Sequence, residues 1–120
     1  MCFMLYFILH CNRRTKKVFQ LFFHPEVLKE LENLEPENYA KIIFLLEKLK
    51  QKGNLLRYPD SRLIRDGLFE LRTGNKDITR TFFAFAKGKK IYILRVFVKK
   101  TKKTPESEII LSFKRLSELS

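Results

Sequence analysis

Histidine and cysteine are nearly absent from this 120-residue chain, and tryptophan is absent altogether. The two cysteines, Cys2 and Cys11, lie near the N-terminus and form no Cys-x-x-Cys pair. That excludes a disulfide framework and a cysteine zinc site. His10 and His24 are the only histidines, so a histidine-rich metal centre is excluded and a Ser-His-Asp triad has almost no material. Neither a metal nor any other cofactor is expected. Long apolar runs are missing too. Met1–Leu9 is almost wholly apolar, but so short a run cannot cross a bilayer. The basic residues Arg13, Arg14, Lys16 and Lys17 follow it, whereas a secretory signal places its charge first. Residues 1–17 therefore read as an atypical extension: a loosely held tail, sequence upstream of an ancestral start, or an added strand. No stable membrane association is expected.

Acid is what the second half lacks. Ile78 to Pro105 contains nine Lys or Arg and no Asp or Glu. The whole chain carries 25 Lys or Arg against 13 Asp or Glu, a formal charge of +12. Such an excess points to an acidic partner: nucleic acid, an anionic surface or an acidic protein. Every acid before Gly53 lies between Glu26 and Glu47, so cations dominate elsewhere. The sharpest concentration is Lys99, Lys100, Lys102 and Lys103, set between a strand-like run and a helix start.

The length suits one domain, here residues 18–120, and the 45% apolar content argues against disorder. Val18–Phe23 reads as a first, well-buried strand. Pro25 opens a helix whose apolar residues are Val27, Leu28, Leu31 and Leu34, and Pro36 opens a second carrying Tyr39, Ile42, Ile43, Leu45, Leu46 and Leu49. The connection is short, so the two form a helical hairpin. Gly53 ends it, and Gly53–Asp66 reads as a loop. The period then changes to two: Leu68–Thr73, Thr79–Ala86 and Ile91–Val98 are three strands of an antiparallel meander, with Gly74-Asn75 and Lys87-Gly88-Lys89 as turns. Thr104 and Pro105 read as the cap and first residue of a last helix, with Ile109, Ile110, Phe113 and Leu116 as its buried stripe. The fold class is α+β, in the order β-α-α-β-β-β-α, with a three- to four-stranded sheet.

Strand alternation puts Arg72 on a face with Glu70 and Leu68, Arg80 with Phe82 and Ala84, and Arg95 with Ile91, Ile93 and Phe97. An arginine in an apolar strand is costly unless it reaches water, a carboxylate or a ligand. Two readings stand side by side: a phosphate clamp, or scaffold pairs of Arg72 and Arg80 with Glu70 or Asp77. Arg95 is open to a structural, partner-facing or ligand-facing role. Metal-free RNA cleavage needs a positioned 2′-hydroxyl, cations for the phosphoryl oxygens and a proton shuttle. Crowded lysines depress one another's pKa and can supply that shuttle. Arg72, Arg80, Lys99, Lys100 and Lys102 are the candidate catalytic residues. Lys87, Lys89, Lys90, Arg95, Lys103, Tyr92 and Tyr58 are candidate RNA contacts, the tyrosines as stacking rings or as packing aromatics.

Asp66–Arg72 (DGLFELR), Thr79–Phe85 (TRTFFAF) and Ile91–Ile109 (IYILRVFVKKTKKTPESEI) together resemble the phage-derived branch of the RelE/ParE toxin superfamily, which includes HigB toxins. The resemblance covers about residues 18–118. It implies a RelE-like, RNase-like fold with a helical hairpin on a twisted antiparallel sheet. It also implies a cytoplasmic toxin of a type II toxin–antitoxin pair that cuts messenger RNA on the ribosome. The implied partners are a helix-turn-helix antitoxin, the ribosome and mRNA, with operator DNA reached only through the antitoxin. Arg72 and Arg80 resemble the family's concave-face arginines, and Lys99, Lys100 and Lys102 its basic segment before the last helix. The chain departs from better-known mRNA-cutting relatives in having no histidine or terminal tyrosine near that segment. A gyrase-inhibiting toxin of the same fold and a non-enzymatic nucleic-acid-binding module remain as alternatives.

Overall fold

A computed structural model describes residues 18–73, 79–100 and 102–120. The expectations for residues 1–17, the Gly74-Asn75 turn and Asp77 lie outside these. The elements are β1 (Gln20–Phe23), α1 (Pro25–Glu32), α2 (Pro36–Lys52), a short 3-10 turn (Gly53–Leu55), β2 (Ser61–Arg65), β3 (Leu68–Arg72), β4 (Thr79–Ala86), β5 (Lys90–Val98) and α3 (Glu106–Leu119). The strands form one five-stranded sheet in the order β1-β5-β4-β3-β2. β1 runs parallel to β5, and the other neighbours are antiparallel.

Helices cover both faces. Val27, Leu31, Ile42, Leu46 and Leu49 of the hairpin pack on Leu71, Phe83, Ile91, Ile93 and Val96. On the other face, Ile109 of α3 meets Leu68, Phe82, Ala84, Leu94 and Phe97, with Phe113 and Leu116 alongside. Phenylalanine pairs knit both layers: Phe69 stacks on Phe83 at 5.5 Å and Phe82 meets Phe97 edge-on at 5.1 Å. The hairpin closes at Gly53, where φ is +54° and an added Cβ would stand 2.0 Å from the Phe19 ring. Only glycine allows both the backbone turn and that approach.

Several expectations need correction. Gly53–Asp66 is not all loop: Ser61–Arg65 is an edge strand. Arg62, Leu63 and Arg65 are all exposed, so the strand has one covered side at most and lacks the alternation that reveals a half-buried strand. Asp66 and Gly67 both have positive φ, the geometry of a two-residue turn in which Asp-Gly is favoured. β1 is half-buried on alternate residues rather than well buried, because it too is an edge. The last helix starts at Glu106, with Pro105 in the capping position and no side-chain cap. The carbonyl of Pro105 accepts from the Glu108 N–H at 3.1 Å, one residue later than Thr104 would place the start. Ile110 is 59% exposed, while Ser112 and Arg115 are buried.

A bulge in β5 changes one face assignment. Phe82 sits opposite Arg95 and Phe83 opposite Ile93, leaving Leu94 without an opposite residue. The alternation therefore slips by one. Arg95 lies over Phe97, 5.6 Å from the ring centre, and does not share the face of Ile91 and Ile93, which pack under the hairpin.

Candidate functional site

Strand pairing lines up charges that lie far apart in sequence. Arg62 on β2 faces Glu70 on β3, which faces Phe82 on β4. One step along, Arg72 on β3 faces Arg80 on β4, which faces Phe97 on β5. Opposite residues point to the same side of a sheet. These side chains therefore share the face on which α3 packs, beside the cluster of Leu68, Phe82 and Phe97.

Glu70 is completely buried. Its Oε2 lies 2.9 Å from Arg62 Nη2 and 3.9 Å from Arg72 Nε, and its Oε1 lies 3.7 Å from Arg80 Nε. All three are ion pairs: among the described residues neither Glu70 oxygen accepts a hydrogen bond. The Nε donors of Arg72 and Arg80 are buried and have no acceptor among the described residues. Arg80, 7% exposed, donates from Nη1 to the Thr79 carbonyl at 3.2 Å. The Arg72 guanidinium stands 5.4 Å from the centre of the Tyr58 ring, which is 70% exposed.

Lys99 follows the last residue of β5 and is only 8% exposed. Burial first, then the Arg80 charge, push its ammonium below the ordinary lysine range; Glu70 opposes this, and Arg62 and Arg72 add to it. Arg80 is lowered from its usual value, chiefly by burial, with Glu70 opposing and Arg72 and Arg62 adding. Its guanidinium remains charged even so. Four cations from four places in the chain thus surround one carboxylate. The excess positive charge and the planar guanidinium forks suit a phosphate. Among the described residues no three His, Cys, Asp or Glu gather where they could hold a metal ion.

The candidates named from sequence separate into groups. Arg72, Arg80 and Lys99 come together, with Tyr58 at their edge. Lys100, Lys102 and Lys103 are exposed. Lys100 lines, with Lys99, Asn33 and Pro105, a groove of about 480 Å³ between α1, β5 and the start of α3. Lys87, Lys89 and Lys90 lie around the β4–β5 turn, where Ala86 faces Lys90. Arg80 is six residues down β4 from that turn, roughly 20 Å at strand rise. Lys89 and Lys90 instead lie over the rings of Phe19 and Phe22. Tyr92 packs edge-on against Phe22 at 6.0 Å. Arg95 takes the structural role: it binds Glu108 at 2.6 Å and Glu30 at 2.5 Å. Both carboxylates hold its pKa above the usual value, against the effect of burial, Glu108 most strongly.

Arg62 was missed. It sits in the segment read as loop, and its role appears only when β2 pairs with β3. The available signal was the Asp66-Gly67 turn, which folds Ser61–Arg65 back on Leu68–Arg72.

Comparison with known proteins adds the following. A chain of the toxin–antitoxin complex RelBE2 from Mycobacterium tuberculosis superposes with a TM-score of 0.55 at 19% identity, covering 69% of this chain and 100% of that one. A chain of the archaeal RelE-RelB complex from Pyrococcus horikoshii OT3 gives 0.56 at 23% identity, covering 68% and 96%. This likeness is one of fold, and the architecture is RelE-like. No curated protein matches the chain. The family model described as phage derived protein Gp49-like (DUF891) matches residues 29–117. That span holds Arg62, Glu70, Arg72, Arg80 and Lys99, and it is most of the chain: the chain belongs to the phage-derived Gp49-like family.

Proposed function

We propose that this protein is the toxin of a type II toxin–antitoxin pair, of the HigB-like kind, and cuts ribosome-bound messenger RNA without a metal. The observation that carries the reading is the cluster of Arg62, Arg72, Arg80 and Lys99 around a single buried carboxylate. The RelE-like fold supports it, as does the absence of acid from Ile78 to Pro105.

In this reading Arg72, Arg80 and Arg62 bind the non-bridging oxygens of the scissile phosphate and stabilise the charge that builds there. Lys99, whose pKa is lowered from the ordinary lysine range by burial and the Arg80 charge, accepts the proton of the RNA 2′-hydroxyl. The 2′-oxygen bonds to phosphorus and the bond to the 5′-oxygen breaks. The leaving 5′-oxygen takes its proton from Lys100 at the solvent-facing rim, with Lys102 and Lys103 adding positive charge along the RNA. The products are a 2′,3′-cyclic phosphate and a 5′-hydroxyl. Tyr58 offers an exposed ring on which a neighbouring base stacks. A helix-turn-helix antitoxin neutralises the enzyme in the cytoplasm and carries the pair to operator DNA.

Inducible expression tests this. The wild-type chain should arrest growth with messages cut between codon positions. Arg72→Ala or Arg80→Ala should reduce cutting about 100- to 1,000-fold, the usual loss for one transition-state donor. Intact messages during arrest would overturn the reading. Gyrase–DNA adducts would then identify the gyrase alternative, and salt-sensitive RNA binding with no product would identify a binding module.

A further inference from the structure

Glu70 is a poor choice for stability alone. It is fully buried on β3 between Phe69 and Leu71 and faces Phe82. A buried carboxylate is costly, and an apolar residue of similar volume is often as stable or more so. Nor does Glu70 suit direct chemistry: both its oxygens are inaccessible. What it does have is three guanidinium groups from three adjacent strands, all approaching the same carboxylate. Arg62 and Arg72 converge on Oε2 and Arg80 on Oε1.

We propose that Glu70 is a positioning residue: its buried charge draws Arg62, Arg72 and Arg80 together as ion pairs, so that their outward donors present a single preformed cradle to an RNA phosphate. The inference rests on the phosphate-binding reading of the site and adds to it the device that assembles the site. Arginine is long and rich in rotamers, and ordering three such side chains without a common anchor would cost entropy at the moment of binding. A buried anchor removes that cost in advance. Among the described residues, Arg80 also has the Thr79 carbonyl and Arg72 the Tyr58 ring.

This makes a prediction opposite in sign to that of simple charge. Removing a negative charge from a cationic site should tighten its grip on a polyanion if only the sum of charges matters. If Glu70 positions the arginines, removing it should loosen that grip. The probe is a short single-stranded RNA, titrated against the full chain at fixed salt, with folding checked by circular dichroism and thermal melting. Glu70→Gln keeps the shape and removes the charge; we expect binding about ten-fold weaker and any cleavage reduced further. Glu70→Asp keeps the charge but withdraws the carboxylate by one methylene; we expect weakening in the same direction, which charge summation does not give. Should Glu70→Gln fail to fold, Glu70→Asp decides alone. Either folded variant binding RNA as tightly as wild type, or more tightly, would overturn the proposal while leaving the nuclease reading intact. Wild-type failure to bind RNA would overturn the Glu70 proposal, whereas the nuclease reading falls only to intact messages in the expression test.

Discussion

Of the four lysines after β5, burial singles out Lys99, which residue type and spacing could not do. Lys99 and Lys100 differ by one position, yet one is enclosed and the other exposed. The enclosed ammonium carries a titration signature. Its folded-state pKa lies below the ordinary 10.5. Below that folded value Lys99 is charged in both folded and unfolded chains, and its burial cost is fully present. As pH rises from the folded value toward 10.5, the unfolded chain binds the extra proton, so stability increases with pH. Replacing Lys99 with Met should therefore raise the melting temperature near pH 7, by an amount that shrinks toward pH 10.5. Melting curves of the two proteins across that range check this; a constant difference would place the ammonium in solvent. The same substitution should abolish RNA cleavage.

At the scale of elements, α3 is held to the sheet by charge as well as by Ile109 and Phe113. Glu30 on α1 accepts from the Val96 N–H at 2.9 Å, from Arg95 at 2.5 Å and from Arg115 at 2.7 Å. Arg115 also donates to the Leu94 carbonyl at 3.0 Å, at the bulge itself. His24 caps α1 by accepting from the Glu26 N–H through Nδ1, and its Nε2 meets Glu118 at 2.7 Å. Glu30→Ala would leave two arginines short of a partner in a largely enclosed place. We expect a loss of about 3 kcal/mol, the usual cost of removing one member of a buried pair, measurable by urea denaturation. Ile110→Ser, at an exposed position on the same helix, should change stability by less than about 0.5 kcal/mol.

Much of this layer was legible in the chain. Pro25, Pro36 and Gly53 bound the hairpin, and the switch from helical to alternating period announced β3, β4 and β5. Arg72 and Arg80 were legible for the same reason, since alternation puts them on one face. Three things were not. Edge strands carry little apolar alternation, which hid β2 and with it Arg62. A bulge breaks period two without changing composition, so Arg95 was placed with Ile91 and Ile93. The charges that act on Lys99 belong to Arg62, Glu70, Arg72 and Arg80 on β2, β3 and β4, which local sequence near residue 99 does not encode.

For the whole molecule, two groups of cations stand at opposite ends of the sheet. Arg62, Arg72, Arg80 and Lys99 gather at one end, and Lys87, Lys89 and Lys90 at the other. Single-stranded RNA held through one phosphate in the first group should draw a salt slope on the order of −0.7 from that contact. Changing Lys87, Lys89 and Lys90 together to Gln should leave that slope unchanged for a short RNA and reduce it for a long one. Binding isotherms at several salt concentrations distinguish the two ends.

The parallel pairing of β1 with β5 bears on the order of synthesis. Among the described residues Gln20 has no strand partner until Lys90 has been made, and Lys99 joins the arginines later still. A nascent chain of this design carries its arginines outward long before they can act together. The sheet closes only when the last strand slides between β1 and β4.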